Sequence, residues 1–211
     1  MKYIVDYEKD GTKPLIEKVV LLSTSPRRKQ LLEFLKPEIA AVEVDERGIE
    51  ELFMERFAAD DFLTRAAKTC CEISKAKSDC DLEEGVLYIS ADTIVVFEDQ
   101  VYNKPGDETE ARAMLLSYFG KKHEVVTSVC LRAKNYLEVF YTVAEIEFVD
   151  WYPDLQEAVD SYLASGSPMD KAGAYGFQEL DPRFISHVAG DIHTIIGLPV
   201  AETARRIAER Q

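Results

Sequence analysis

Residues 86–97, VLYISADTIVVF, form the most strand-like stretch of the chain, apolar and β-branched apart from the Ser-Ala-Asp-Thr at its centre. Such a run is at home only in a sheet covered on both faces, so the rest of the sequence has to supply layers above and below it. Residues 18–25, KVVLLSTS, read as a second buried strand, after which Ser25 and Pro26 start a helix as N-cap and first helical residue. Leu31, Leu32 and Leu35 give that helix an apolar stripe, and Pro37 ends it. Residues 38–44 alternate as another strand, and one long helical stretch over 50–77 follows, with Leu52, Phe53, Phe57, Phe62 and Leu63 as its apolar contacts. Beyond the central strand, a turn at Glu98, Asp99 and Gln100 leads into Val101 and Tyr102 as a hairpin. Residues 107–118 are helical, and strands at 123–133 and 137–149 are joined near Lys134 and Asn135. Asp154 caps a helix running to Leu163, a polar Gly- and Pro-rich loop covers 165–181, and 184–189 is a strand. Residues 190–199, GDIHTIIGLP, read as turn, strand and turn before a closing helix that turns Val200, Ala204 and Ile207 inward. Strands alternating with helices, plus central hairpins, define an α/β fold with a mixed, partly parallel twisted sheet flanked by helices.

The 211 residues, 46% apolar and 30% charged, suit one globular unit from residue 18 to 211, and no repeat or low-complexity linker divides it. Residues 1–17 form a leader or edge segment that lacks the features of a signal or transit peptide, and a cytoplasmic protein is expected. The longest apolar runs are far too short to cross a bilayer. Cys70, Cys71, Cys80 and Cys130 show neither a disulfide framework nor paired zinc-ligand spacing, so idle or buried thiols are expected. A formal net charge of −14 argues against a general nucleic-acid binder, and any basic cluster stands out against it.

One such cluster is STSPRR, residues 23–28. A strand feeding a helix start gathers free backbone N–H groups and the positive end of the helix dipole, which together attract anions. Ser23 and Ser25 add hydroxyls, and Arg27 and Arg28 add guanidinium groups suited to phosphate oxygens. The plain alternative is a capped helix with solvated arginines; two arginines in a first turn oppose the dipole, which favours the anion. Asp92 is out of place in an apolar strand unless paired, so it is a metal ligand, a general base or a strand-end turn carboxylate. Asp45 and Glu46 form a second acidic pair. In the turn at 103–106, Lys104 is ordinary surface decoration by composition alone. In DKAGAYGFQ, residues 170–178, two glycines mark a constrained loop in which Lys171 can bind phosphate and Gln178 can read a base edge. His187 and His193 belong to no metal-ligand motif or catalytic triad.

In this order, SxSPRR, ADT, a KP turn, DKAGAYG-Q and GLP resemble the Maf family of septum formation inhibitor-like proteins, over residues 18–208. The resemblance implies nucleoside triphosphate pyrophosphatases with two lobes around a cleft, commonly homodimeric, that release a nucleoside monophosphate and pyrophosphate. It assigns phosphate binding to Ser23, Arg27, Arg28 and Lys104, the general base to Asp92, and metal binding to Glu46 with Asp92, the ion being Mg²⁺ or Mn²⁺. Thr93 and Gln178 correspond to positions linked with substrate choice. Lys75-Ala76 resembles a family Lys-Ala pair and makes Lys75 a further phosphate binder, although Cys71-Glu72 stands where a leucine-alanine pair is expected. The loop form resembles the branch that prefers dTTP and UTP, with Glu179 where the family usually carries glycine. A nucleotide-sensing regulator of cell division and a purine house-cleaning enzyme acting on ITP or XTP are the alternatives. Neither nucleic acid nor membrane is expected as a partner.

Overall fold

The computed structural model describes residues 3–209. Its strands, in chain order, are β1 (Ile4–Gly11), β2 (Lys18–Leu22), β3 (Glu38–Ala40), β4 (Val86–Phe97), β5 (Gln100–Tyr102), β6 (Lys122–Ala133), β7 (Tyr136–Phe148) and β8 (Ile185–Ala189). The helices are α1 (Pro26–Leu31), α2 (Glu46–Arg56), α3 (Phe62–Lys77), α4 (Glu108–Ser117), α5 (Gln156–Ala164), α6 (Ile192–Ile196) and α7 (Val200–Ala208). The strands form one eight-stranded sheet in the order β1-β7-β6-β4-β2-β3, with β5 beside β4 and β8 beside β7. Only β2 with β3 and β2 with β4 run parallel; the remaining pairs are antiparallel.

The central strand β4 is paired unevenly. Along one edge β6 accompanies it from Tyr88 to Val96 without a break. The other edge is shared: β2 pairs with residues 86–89 and β5 with residues 95–97. Residues 90–94, with Asp92 and Thr93 among them, have no strand partner on that side. A sheet that opens in this way at a change of neighbour offers polar side chains in mid-strand to a ligand, which is why an aspartate is tolerated there.

Side chains alternate along β4, so its two faces build different cores. On one face Leu87, Ile89 and Ala91 join Leu21, Leu32, Phe140 and Leu198, while Val95 and Phe97 join Leu115, Tyr118, Phe148 and Phe184. Between these two apolar packings runs a row of threonines: Thr93 Oγ1 lies 3.0 Å from Thr127 Oγ1, and Thr142 Oγ1 lies 2.7 Å from Thr194 Oγ1. Thr127 also donates to the Thr194 carbonyl of α6 at 2.7 Å. This hydrogen-bonded seam divides one face of the sheet into two lobes. The opposite face carries Ile94, Val96, Val126 and Val139 under Ala66, Ala67, Cys70 and Cys71 of α3.

Several elements differ from the sequence reading. The stretch 50–77 is two helices: α2 ends at Arg56 with Phe57 as its C-cap, and Asp61 caps α3 by accepting from the Thr64 N–H at 3.0 Å. Leu52, expected to make apolar contacts, is 58% exposed. Residues 190–199 contain α6 instead of a strand, because Asp191 caps its start and Gly197, at φ +118°, closes its end. The β-branched Ile192, Thr194, Ile195 and Ile196 suggested a strand, and these local caps override that propensity. Asp154 lies inside a short 3₁₀ turn, Pro153–Leu155, instead of capping α5. The strand at 18–25 stops at Leu22 and the one at 38–44 at Ala40. Within residues 1–17, β1 pairs with β7 and is tied to the fold by Asp6–Arg206 at 2.6 Å and Glu8–Lys75 at 2.6 Å.

Candidate active site

The turn after β2 is built by its serines. Ser23 Oγ accepts from the Ser25 N–H at 3.2 Å, and Ser25 Oγ accepts from the Arg28 N–H at 3.4 Å, so both hydroxyls shape the start of α1. Arg28 turns inward: its Nε donates to the Gly197 carbonyl at 2.9 Å and its Nη2 to Thr93 Oγ1 at 3.0 Å. Gly197 can present that carbonyl because it holds a left-handed conformation that side chains other than glycine rarely adopt. The GLP segment and the threonine seam therefore fix one arginine of the turn. Burial pushes the Arg28 guanidinium below its ordinary value while the Asp92 charge pulls it back up, and Glu46 adds to that pull. The arginine and the two carboxylates thus share one electrostatic neighbourhood. Arg27 points the other way, with Nη1 3.9 Å from Glu179.

Asp92 projects from the α3-facing side of β4 and is 7% exposed. Lys77 Nζ donates to Asp92 Oδ1 at 2.8 Å and lies 2.9 Å from Glu46 Oε1, so two carboxylates from different elements converge on one cation. Burial and the nearby Arg28 work against the Lys77 charge, and the charge and hydrogen bond of Asp92 together with Glu46 raise its pKa above the ordinary value. The Cys70 thiol lies 3.5 Å from Asp92 Oδ2 and 3.2 Å from Ser128 Oγ. Burial, then the charge of Asp92, hold that thiol well above its usual range, so it remains protonated and able to donate.

The loop at 165–181 meets the turn after β2 through Glu179, whose Oε1 lies 3.9 Å from Arg27 Nη1. Gly173 donates its N–H to the Asn103 carbonyl at 3.2 Å, which joins the loop to the turn that carries the exposed Lys104. Tyr118 Oη donates to the Gly173 carbonyl at 3.1 Å, and a Cβ on Gly173 would sit 2.7 Å from that hydroxyl. The next residue, Ala174, keeps φ at +61° while fully buried, a strained conformation maintained by this packing. Tyr175 Oη lies 2.7 Å from Nε2 of the buried His123. Lys171 is only 6% exposed, and its Nζ donates to the Ser167 carbonyl at 2.7 Å, Ser167 Oγ at 2.8 Å and Asp170 Oδ1 at 2.8 Å. Gln178 is exposed.

Of the residues singled out in the sequence, Arg28, Thr93, Asp92 and Glu46 come together at the open edge of β4. Ser23, Arg27 and Gln178 sit on the segments around that edge, and Lys104 on the turn tied to the loop. Two lysines lie elsewhere. Lys75 points to β1, where it pairs with Glu8 at 2.6 Å, and Lys171 is consumed inside its own loop. The lysine that meets Asp92 is Lys77. Its signal was helical spacing: seven residues after Cys70, it falls two turns along the same face of α3. The Gly197 carbonyl and Glu179 were also missed as participants.

The family described as Maf-like protein matches residues 18–210. The chain belongs to that family. Among the curated relatives of this Maf-family chain, the dTTP/UTP pyrophosphatase of Bacillus cereus (strain AH187) is 34% identical over 194 residues, which is 92% of this chain and 96% of the relative. The proteins of the same name from Bacillus thuringiensis subsp. konkukian (strain 97-27) and Bacillus cytotoxicus (strain DSM 22905 / CIP 110041 / 391-98 / NVH 391-98) are also each 34% identical, with the same coverage of both chains.

Proposed function

We propose that this Maf-family protein is a nucleoside triphosphate pyrophosphatase that hydrolyses dTTP and UTP to the monophosphate and pyrophosphate. The observation that carries the reading is the convergence of Asp92, Glu46 and Lys77 beside Arg28, where β4 lacks a neighbour. The pyrimidine preference is taken from the names of the relatives, with Thr93 and Gln178 as the residues that meet the substrate's base side.

The triphosphate tail is bound by Ser23 and the N–H groups of the turn, by Arg27 and Arg28, and by Lys104 from the opposite side. Asp92 orients a water against the α-phosphorus and takes its proton, the new P–O bond forms, and the bond to the pyrophosphate oxygen breaks. Arg28, held rigid by Gly197 and Thr93, faces the developing phosphate charge without having to reorganise. Lys77 holds Asp92 in place through the 2.8 Å bond from its Nζ. The residues suit a hard divalent ion, Mg²⁺ or Mn²⁺: Glu46 and Asp92 are oxygen donors that already converge on one positive charge. No group of three His, Cys, Asp or Glu ligands occurs among the described residues, which favours an ion that completes its shell with phosphate oxygens and water. Bound there, the ion would neutralise phosphate charge. The acidic balance of −14 argues against nucleic acid as the partner and leaves room for a small phosphorylated substrate in a local basic site, and the reading includes a cytoplasmic homodimer. No helix among the described residues is long and apolar enough to cross a membrane.

A panel of pyrimidine and purine triphosphates, with monophosphate and pyrophosphate quantified separately, tests the proposal. Equimolar monophosphate and pyrophosphate from dTTP and UTP is the expected result. Turnover confined to ITP or XTP would replace the substrate assignment, and nucleotide binding with no turnover would overturn the enzyme.

A further inference from the structure

Glu179 lies between the loop and the phosphate turn. Its Oε2 is anchored, 3.1 Å from the Lys171 ammonium and bonded to Ser167 Oγ. Its Oε1 is left facing Arg27, with Nη1 at 3.9 Å. The two halves of this contact differ in character. Lys171 is buried with a 6% exposed side chain, and the Cβ that Gly176 lacks would fall 2.6 Å from its Cε, so lysine stem and glycine are fitted to each other. Arg27 and Glu179 are 31% and 38% exposed, and an ion pair that open is weak. Glu179 is thus held by a firm anchor on the loop side and makes a loose bond to the arginine expected to receive phosphate.

We propose that Glu179 is an internal competitor for the phosphate tail: it occupies Arg27 in the free protein and opposes the incoming anion, thereby setting the affinity of the site for polyphosphate. The inference rests on the reading of residues 23–28 as the phosphate turn. Its chemistry is that of an anion standing where another anion must bind. Because Lys171 and Ser167 retain Glu179 near the turn, its charge is not swept away when phosphate arrives, and the repulsion persists in the complex. Ligands are penalised in proportion to their charge, so pyrophosphate and the triphosphate tail are affected most and orthophosphate least.

The test is calorimetric titration of inorganic pyrophosphate and of orthophosphate into the full-length protein and its Glu179→Gln, Arg27→Ala and double variants. Glutamine keeps an acceptor for Lys171 and Ser167, and unchanged melting without ligand verifies the fold. Glu179→Gln is expected to tighten pyrophosphate about three- to tenfold at low salt, with a smaller gain for orthophosphate and a gain shrinking toward nothing near 0.5 M KCl. In the Arg27→Ala background the gain should shrink, because the competition for that arginine is gone and only the direct repulsion between Glu179 and phosphate remains. Equal or weaker pyrophosphate binding by Glu179→Gln overturns the proposal, as does a gain of the same size without Arg27. Failure of the underlying reading looks different: the unaltered protein would then bind no pyrophosphate, or bind it equally well after Arg27→Ala.

Discussion

Replacing His123 by phenylalanine should flatten the acid side of the stability curve. The His123 ring stacks on Tyr118 with centroids 4.1 Å apart, bonds Tyr175 Oη through Nε2, and leaves Nδ1 buried without a partner. Burial pulls its pKa from 6.5 to about 3. Between those two values the unfolded chain binds a proton that the folded protein refuses, so stability falls as the pH drops through the window. The contribution is complete above pH 6.5 and is progressively lost toward pH 3. From pH 7 to pH 5 this one group should cost about 2 kcal/mol. Phenylalanine removes the titration but leaves the Tyr175 hydroxyl unpaired, a fixed penalty of about 1–2 kcal/mol. The variant should therefore be the less stable protein at pH 7 and draw level with the original near pH 5. Urea unfolding followed by circular dichroism at pH 7, 6 and 5 measures the gap. A gap that stays constant over those three values would show that His123 takes up its proton equally in the folded and unfolded chains, and the argument from its burial would fail.

Three further outcomes follow from the geometry. Asp92→Asn should lower kcat by about 10²–10⁴-fold, measured as pyrophosphate release from dTTP with circular dichroism verifying the fold; near-normal turnover by the folded variant would remove Asp92 from the role of base. Lys77→Met should cost about 3 kcal/mol in urea unfolding at pH 7, because Asp92 would keep a largely buried charge without its cation; a cost under about 1 kcal/mol would mean that water already solvates that carboxylate. Gly173→Ala must hold φ at +69° and bring a Cβ to 2.7 Å from Tyr118 Oη and 2.8 Å from Val95 Cγ2. A loss of about 2 kcal/mol, or about 4–8 °C in melting temperature, is expected, and an unchanged melting curve would contradict the tight seat assigned to this loop.

What could be read from the sequence was what local chemistry decides. Ser25-Pro26 announces a helix start by its own capping geometry, and an aspartate inside VLYISADTIVVF announces a partner for its charge. The errors fall where tertiary context decides. Nothing in Lys75 and Lys77 distinguishes them as residue types; a rotation of two positions on α3 sends one to Glu8 and the other to Asp92. The break between α2 and α3 was hidden because Asp61 follows Asp60 in a stretch whose phenylalanines continue on either side. Lys171 looked free in DKAGAYG because the groups that consume its charge include Ser167 and Glu179, one before and one after the motif. Arg28 is expected from the sequence to bind phosphate, but its hold on the Gly197 carbonyl, 169 positions away, has no local signature.

The strand β1 has a practical consequence. It lies before residue 18, where the family match begins, yet it covers an edge of the thirteen-residue β7 from Tyr136 to Thr142. A protein trimmed to the homologous boundaries would expose that row of N–H and C=O groups as a template for another chain, and would strip Asp6 from Arg206 and Glu8 from Lys75. Such a truncation invites sticky, self-associating material even if every catalytic side chain remains. The unit that stays monodisperse in a tube is thus longer than the unit that homology recognises, and expression designs should keep the first strand.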